Sequence, residues 1–393
     1  MDDILSQGGD REPSPWPRRL AVMAALIVVA GAGVFYLSRP HQQRASVATP
    51  STPATASPAP SEPSGIAGPT LPWATSLRLP ITGTQPVWFS PASGHSEPIG
   101  GLPDLSTGYQ FIRTVGGWAV QANPAGLLEC SSCAKPSMPV WFLADGVQSV
   151  TRVGTATLVA PSATAGAVWL TSYSLGVSVT TAAGMAREVS STGSPLHPQV
   201  KLPSGYIIDQ GTDRGLLLAP VSQQSGTPVY TLWNPVAARD SRTFTGVIAA
   251  SPTEIAWTSR CASTCRIQVL DLVTGRHTAV ALPAASSAAS GAFSPSEGFL
   301  ALQVSSGNTG DDGALAMQLE VASVASGRLT AMPGTFVSSD ALVGFGWPTS
   351  GDSLVAEFIF TTKAQLASWR PGATRPAVTV IRPGNTQASL ILG

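Results

Sequence analysis

Hydrophobic and polar positions follow one repeated pattern along most of this chain. A turn rich in Pro, Gly and small polar residues leads into an apolar strand, and six copies of this pattern lie between residues 110 and 358. The copies begin 47, 51, 40, 43 and 53 residues apart. The six copies occupy residues 114–120, 161–169, 212–218, 252–257, 295–302 and 348–356. The pattern predicts short antiparallel strands joined by tight turns.

A period of about 40–50 residues built from strands and turns is typical of the blades of a β-propeller. We therefore predict an all-β fold with a single propeller. Two more strand-like stretches, 86–89 and 98–102, raise the count to seven blades, with six or eight as the alternatives. A β-sandwich of this length would need two or three domains joined by linkers, and no such linker follows residue 72. We expect the first and last blades to close the ring by sharing strands between the two termini.

Hairpins with alternating apolar and polar residues repeat in the second half of the chain. Residues 267–276 alternate and then turn at Thr274-Gly275, and residues 319–328 repeat the pattern in register. Residues 178–184 and 232–239 are weaker copies. Alternation places one face of each strand against the neighbouring blade, and Gly supplies the positive φ that a tight hairpin needs.

These motifs resemble the blades of TolB-like and WD40-like β-propellers. The stretch 292–302 reads Ala-Phe-Ser-Pro-Ser-Glu-Gly-Phe-Leu-Ala-Leu, close to the Ser-Pro-Asp-Gly turn and Leu-Ala-Phe strand of those blades. The resemblance covers roughly residues 110–385. Ser296 and Glu297 replace the Asp of the turn, and the Gly-His and Trp-Asp pairs of WD40 repeats do not occur. The resemblance therefore implies an architecture and no particular activity.

An apolar segment near the N-terminus predicts one transmembrane helix. Residues 20–37, from Leu20 to Leu37, contain no charged side chain. At 1.5 Å per residue they would span about 27 Å, close to the roughly 30 Å core of a bilayer. A cleaved signal peptide is the alternative, but its apolar region is usually shorter. We predict a cytoplasmic tail (1–19), an anchor (20–38), a disordered linker (39–72) and an extracytoplasmic propeller domain (73–393).

The predicted linker contains a Pro/Ser/Thr/Ala tract, residues 45–72, which cannot bury a core and is expected to form an extended spacer. Three arginines precede the anchor and two follow it, a small positive-inside bias. The spacer and the paired cysteines beyond it favour a single-pass protein of the cell membrane, with its N-terminus inside and its large domain outside the cytoplasm. Lys and Asn are scarce, which indicates a GC-rich bacterial genome.

Composition and missing motifs exclude several classes of function. The net charge is zero and only 11% of residues are charged, so no nucleic-acid footprint is present. The sequence lacks a phosphate-binding P-loop, a dinucleotide Gly motif, the His-Glu-x-x-His metal motif and a Gly-x-Ser-x-Gly elbow. We therefore predict no cofactor and assign no catalytic residue and no metal ligand.

The four cysteines form two local pairs, Cys130 with Cys133 and Cys261 with Cys265. We predict two small disulfides that close hairpin loops in an oxidising compartment. Four thiolates could instead bind zinc. In a propeller, however, the two pairs belong to different, non-adjacent blades. A thioredoxin-like redox site would need a helix N-terminus, and the sequence after Cys133 predicts none.

Aromatic and acidic side chains supply the remaining candidates. Most tryptophans lie inside apolar strands and are expected to fill the space between blades, whereas Trp73 and Trp347 lie in turns and are predicted as exposed binding aromatics. The acidic loop 308–313 is either a weak Ca²⁺ site or an ordinary hairpin loop. For an enzyme in the channel, the candidate carboxylates are those of Asp209, Asp213, Asp271 and Glu357.

These observations favour a non-catalytic binding or scaffolding module whose partner is an envelope protein or a cell-wall polymer. Propellers hold variable loops on rigid blades, so recognition needs no catalytic motif. The alternative is a cell-envelope hydrolase or lyase with its site in the channel. Converging carboxylates and histidines would favour the enzyme, and an apolar channel with aromatic loops would favour binding.

Overall fold

The computed structural model describes residues 66, 71–82, 85–123, 137–173, 183–221, 227–259, 265–309, 315–335, 337–338, 342–348, 352–360 and 363–381. All regular elements in these ranges are β-strands, arranged in seven antiparallel sheets. The prediction of an all-β, seven-bladed propeller is therefore confirmed.

Blades 1 to 4 form in chain order, each as a simple meander. Blade 1 has three described strands, β1 (Leu79–Ile81), β2 (Val87–Ser90) and β3 (His95–Pro98). Blade 2 contains β4 (Tyr109–Thr114), β5 (Gly117–Ala122), β6 (Met138–Ala144) and β7 (Thr151–Ala156). Blade 3 contains β8 (Leu158–Pro161), β9 (Ala167–Ser172), β10 (Met185–Ser190) and β11 (Val200–Lys201). Blade 4 contains β12 (Tyr206–Thr212), β13 (Gly215–Pro220), β14 (Val229–Asn234) and β15 (Arg239–Thr245).

Blades 5 to 7 continue the same order around the ring. Blade 5 contains β16 (Val247–Ala250), β17 (Glu254–Thr258), β18 (Arg266–Asp271) and β19 (His277–Ala281). Blade 6 contains β20 (Ser286–Phe293), β21 (Phe299–Thr309), β22 (Leu315–Ser323) and β23 (Leu329–Ala331), and β24 (Val337–Ser338) also pairs with β22. Blade 7 contains β25 (Leu342–Gly346), β26 (Leu354–Phe360), β27 (Lys363–Trp369) and β28 (Ala377–Ile381).

The first strand of each blade lies nearest the propeller axis. β8 contacts both β4 and β12, and β20 contacts both β16 and β25. In blades 4 to 7 these inner strands each carry a β-bulge, at Asp209, Ile248, Ala289 and Val343. A bulge bends a strand and increases its local twist, which suits strands that crowd around an axis.

Apolar side chains between successive blades form the core. Between blades 2 and 3, for example, Val140 and Phe142 on one sheet pack with Val159, Val168 and Leu170 on the next. Middle strands such as β5 are buried on both faces because a neighbouring blade covers each side. Seven such clusters occur, one at each junction between neighbouring blades.

Residues that precede blade 1 pack on blade 7. Ile66 is buried between blades 6 and 7, and its backbone N–H donates to Gln365 Oε1 at 2.8 Å. The Leu71 N–H then donates to the Pro376 carbonyl beside the outermost strand. On the other side of the blade, Trp73, Leu77 and Leu79 pack on Val355, Leu366 and Ala377. Ile66 therefore packs in the core although it lies within the predicted linker, and the domain bounds stay a prediction.

Some predictions fall on residues outside the described ranges. These are the anchor at residues 20–38 and most of the linker, and closure of the ring by strands shared between the two termini also stays a prediction. Among the described residues, no helix is long and apolar enough to cross a membrane.

Candidate binding face

The meander gives the ring two different faces. The turns that join first to second strands and third to fourth strands lie on one face, which we call the turn face. The connections that join second to third strands lie on the opposite face, together with those that lead to the next blade, and we call this the loop face. This separation follows because strand direction alternates within each antiparallel sheet.

On the loop face, the connections between second and third strands shorten in order around the ring. In blades 2 to 7 they comprise residues 123–137, 173–184, 221–228, 259–265, 310–314 and 361–362. Along the sequence, the connections of blades 2 and 3 are therefore the longest of the six. Both cysteine pairs belong to these connections, one in blade 2 and one in blade 5.

Four tyrosines lie where strands of blades 2 to 4 reach the loop face. Tyr109 and Tyr206 begin β4 and β12, Tyr173 directly follows β9, and Tyr230 is the second residue of β14. The Tyr173 hydroxyl donates to the Tyr206 carbonyl at 3.3 Å, and the Tyr109 hydroxyl donates to the Pro103 carbonyl. Burial raises the pKa of Tyr173 to about 12, so its phenol stays protonated and can donate hydrogen bonds. Tyr109 and Tyr230 are buried in the core, at 2% and 7% exposed, whereas Tyr173 and Tyr206 are half-buried. Sequence reasoning missed the contact between Tyr173 and Tyr206, although the position of each at a strand end was a usable signal.

Asp209 lies at the bulge of β12, near Tyr230. It is 8% exposed, and burial raises its carboxyl pKa from 3.8 to about 7. Burial and, secondarily, the Asp209 charge raise the pKa of Tyr230, which places the two side chains near each other. Among Asp, Glu and His residues, Asp209 is the only one on the first strands of the seven described blades.

The other three candidate carboxylates do not converge with Asp209. Asp271 ends β18 on the turn face and accepts hydrogen bonds from the N–H groups of Val273 and Thr274, both at 2.9 Å, so it organises its own turn. Hydrogen bonds from Thr274 accordingly lower its pKa. Asp213 is exposed in the turn after β12, and Glu357 is buried within β26 of blade 7.

The turn face is held together by hydrogen bonds between blades. The Thr114 hydroxyl of blade 2 donates to the Ala167 carbonyl of blade 3 at 3.0 Å. The Asp213 N–H of blade 4 donates to the Pro252 carbonyl of blade 5 at 2.9 Å. The Ser296 hydroxyl of blade 6 donates to Asp352 Oδ1 of blade 7 at 2.5 Å. These bonds fix neighbouring blades relative to each other.

Glu254 is a buried acid on this face. It begins β17, is 5% exposed, and its Oε2 has no hydrogen-bond partner among the described residues. Burial, then the charges of Glu297 and Asp271, raise its pKa to about 8, against a lowering effect of Arg276. Glu254 is therefore mostly protonated at neutral pH. No group of three His, Cys, Asp or Glu residues in the described ranges has a geometry that could hold a metal ion.

The prediction that Trp73 and Trp347 are exposed is wrong. Trp347 is 3% exposed, and its indole N–H donates to the Ala292 carbonyl of blade 6 at 2.9 Å. Trp73 is 9% exposed in the cluster that closes the ring. Both residues follow turn-like sequence, but the interfaces between blades continue beyond the strand ends and need large apolar side chains there.

The remaining candidate residues lie mostly outside the described part of the chain. Cys130, Cys133 and Cys261 are outside it, and Cys265 is partly buried against the core between blades 5 and 6. The two disulfides stay a prediction. The carboxylates of the acidic loop, Asp311 and Asp312, also lie outside the described residues, so the calcium alternative stays open as well.

Comparison with solved structures finds distant similarity to several proteins. TolB from Acinetobacter baumannii aligns with a TM-score of 0.41 and 11% identity, covering 79% of each chain. The chain folds as a β-propeller that resembles TolB. A lignostilbene dioxygenase from Pseudomonas brassicacearum aligns with a TM-score of 0.44 and 11% identity, covering 82% of this chain and 94% of the other.

A third similar structure is the β-propeller domain of the Trilobed protease from Pyrococcus furiosus, with a TM-score of 0.42 and 8% identity over 69% of this chain and 82% of that one. No protein-family model and no curated protein matches the sequence. Similarity at this level concerns the fold alone, because one propeller fold supports many unrelated functions.

Proposed function

We propose that this protein is a membrane-tethered, extracytoplasmic binding module whose loop face, above blades 2 to 4, recognises an envelope protein or a cell-wall polymer. The observation that carries this proposal is a pair of half-buried tyrosines on the loop face, Tyr173 of blade 3 and Tyr206 of blade 4. The Tyr173 hydroxyl donates to the Tyr206 carbonyl at 3.3 Å.

Tyrosine is well suited to such a surface. Its ring supplies a large contact area at a low cost in conformational entropy, and its hydroxyl forms a hydrogen bond at the rim. Hydrogen bonds between blades on the turn face and the seven apolar clusters between blades make the ring rigid, and variable loops need such a rigid support for recognition. The predicted anchor at Leu20 to Leu37 and the Pro-rich tract would place this module outside the cytoplasm.

A second candidate function is a cell-envelope hydrolase or lyase that works in the channel. One observation favours it: Asp209 lies on an inner strand, and its pKa of about 7 would suit a general acid or base at neutral pH. The other candidate carboxylates lie in different blades, so a partner group for Asp209 would have to come from the substrate or from the loops.

The test compares full-length chains in detergent for binding to purified peptidoglycan sacculi and to solubilised envelope proteins from the same organism. Tyr206→Ala removes a ring from the proposed surface, Tyr206→Phe keeps the ring, and Val236→Ala alters an exposed side chain on the turn face. We expect Tyr206→Ala to weaken binding at least tenfold, with little effect of the other two variants. Equal binding by all three variants would contradict the proposed surface.

The same variants also separate the two functions. The enzyme would be supported if the parent protein turned over a wall-derived substrate and Asp209→Asn abolished this turnover, while the Tyr206→Ala variant bound its partner as tightly as the parent. Retention of sacculi or of one envelope protein, lost in Tyr206→Ala and kept in Asp209→Asn, would support the binding module and name the class of its partner.

A further inference from the structure

A cleft of about 490 Å³ lies between blades 6 and 7, at the turn-face end of their interface. Its apolar lining includes Phe299, which is half-buried, and Val321 and Trp369, which are each 2% exposed; Pro333 and Pro371 also line it. Trp369 is held in place because its indole N–H donates to the Ala373 carbonyl at 2.8 Å. An aromatic lining edged by rigid turns is the kind of groove in which Pro-rich segments dock in an extended conformation.

The cleft also contains a cation without a partner. Arg328 lines it and is exposed, and within the described part of the chain its guanidinium forms no ion pair and no hydrogen bond. Arg370, on the adjacent turn of blade 7, is likewise exposed. An occupant of this cleft therefore combines an extended, proline-rich backbone with a negative charge.

The chain itself carries such a segment directly upstream of Ile66. Residues 58–65 read Pro-Ala-Pro-Ser-Glu-Pro-Ser-Gly, and Glu62 is the only acidic residue between residues 39 and 72. Ile66 is buried in the same interblade cluster as two of the lining residues, Val321 and Trp369. The cleft is thus continuous with the interface that already holds the N-terminal segment.

The distances agree with this placement. Ile66 is bonded to Gln365, and Trp369 lies four residues further along β27, about 13 Å towards the turn face. Four residues of extended polyproline chain, from Glu62 to Ile66, span about 12 Å.

We propose that residues 58–65 dock in this cleft in an extended conformation, with the Glu62 carboxylate paired to the Arg328 guanidinium. The docked tract extends the packing of the N-terminal segment on blade 7 and directs the upstream chain to the turn face. One consequence rests on the proposed membrane anchor. The loop face would then point away from the membrane, towards the partner that the proposed function assigns to it.

The experiment places an environment-sensitive dye on the full-length chain in lipid nanodiscs. Ser61→Cys puts the dye beside Glu62, and Ser51→Cys puts it ten residues upstream as the matched control; the parent chain reports labelling of the native cysteines. We expect the dye at position 61 to emit at a shorter wavelength than the dye at position 51. Arg328→Glu or Glu62→Arg should each abolish this difference, and the two changes together should restore it.

Three results would overturn the proposal. In the first, the dyes at positions 61 and 51 emit at the same wavelength when Glu62 and Arg328 are both present. In the second, the charge reversals leave the difference in emission wavelength unchanged, while tryptophan emission and circular dichroism show that the ring is folded. A dye response that depends on changing the nanodisc from neutral to anionic lipid, and not on Glu62, would assign Arg328 and Arg370 to lipid headgroups instead. None of these readouts depends on binding at the loop face.

Discussion

Glu297, in the first turn of blade 6, accepts a hydrogen bond of 2.8 Å from the hydroxyl of Ser251 in blade 5. The same carboxylate accepts hydrogen bonds from the N–H and the hydroxyl of Thr253. Glu297 has a φ of 56°, a left-handed conformation that favours glycine. The side chain thus bridges two blades from a backbone position that is unfavourable for it.

This bridge predicts the order of stability of three variants. Glu297→Gln should lower the free energy of unfolding by about 1–3 kcal/mol, because an amide cannot replace both carboxylate acceptors. Glu297→Gly should also destabilise the protein, although it relieves the backbone strain. The control Glu97→Gln, in an exposed ion pair with Arg78, should change stability by less than about 1 kcal/mol. Denaturant unfolding measures all three, and a neutral or stabilising Glu297→Gly would show that the bridge contributes little.

Position 297 also shows what the sequence could and could not predict. All six repeated patterns proved to be the first hairpin of blades 2 to 7, because a turn followed by a buried middle strand leaves the same local signal each time. The replacement of Asp by Ser296 and Glu297 was visible as a departure. The role of these two residues could not be predicted, because their partners lie on other blades. Glu297 bonds to Ser251, 46 residues away, and Ser296 bonds to Asp352, 56 residues away.

The third strands were harder to place than the first hairpins. The weak copy at 178–184 precedes the real strand β10, Met185–Ser190, because a long connection shifts the spacing in blade 3. Trp73 and Trp347 failed for a related reason, since local sequence marks a turn but does not tell how far an interblade interface extends. The contact between Tyr173 and Tyr206 depends on the order of blades in space, which no single segment contains.

Asp209 should make stability depend on pH. Its pKa is 3.8 in its ordinary state and about 7 in the fold, so between these values the folded protein binds a proton that the unfolded chain has released. The free energy of unfolding therefore falls as pH rises from about 4 to 7, by up to about 4 kcal/mol. Asp209→Asn should match the parent near pH 4 and exceed it at pH 8. A difference between the two proteins that does not change with pH would contradict this.

The two buried tryptophans allow a matched comparison. Trp347→Phe removes an indole N–H that is bonded to Ala292, and so leaves a carbonyl in a buried interface without its donor. Trp73→Phe removes an indole N–H that has no partner among the described residues, so it loses volume but no hydrogen bond. We expect Trp347→Phe to cost about 1–2 kcal/mol more than Trp73→Phe in thermal or denaturant unfolding. Equal costs would mean that packing volume alone decides both.

Two glycines at positive φ separate backbone strain from steric overlap. Gly215 has a φ of 133°, and a Cβ there would overlap the Trp233 carbonyl oxygen of the next strand. Gly146 has a φ of 77°, with open space where its Cβ would be. Gly146→Ala should cost about 1–2 kcal/mol from the left-handed backbone alone. Gly215→Ala should cost several kcal/mol, because the Cβ also pushes β13 away from β14 and disturbs the blade that carries Asp209 and Tyr230. Chemical denaturation with intrinsic fluorescence measures both, and a Gly215→Ala variant as stable as Gly146→Ala would show that this blade adjusts its strand spacing without loss.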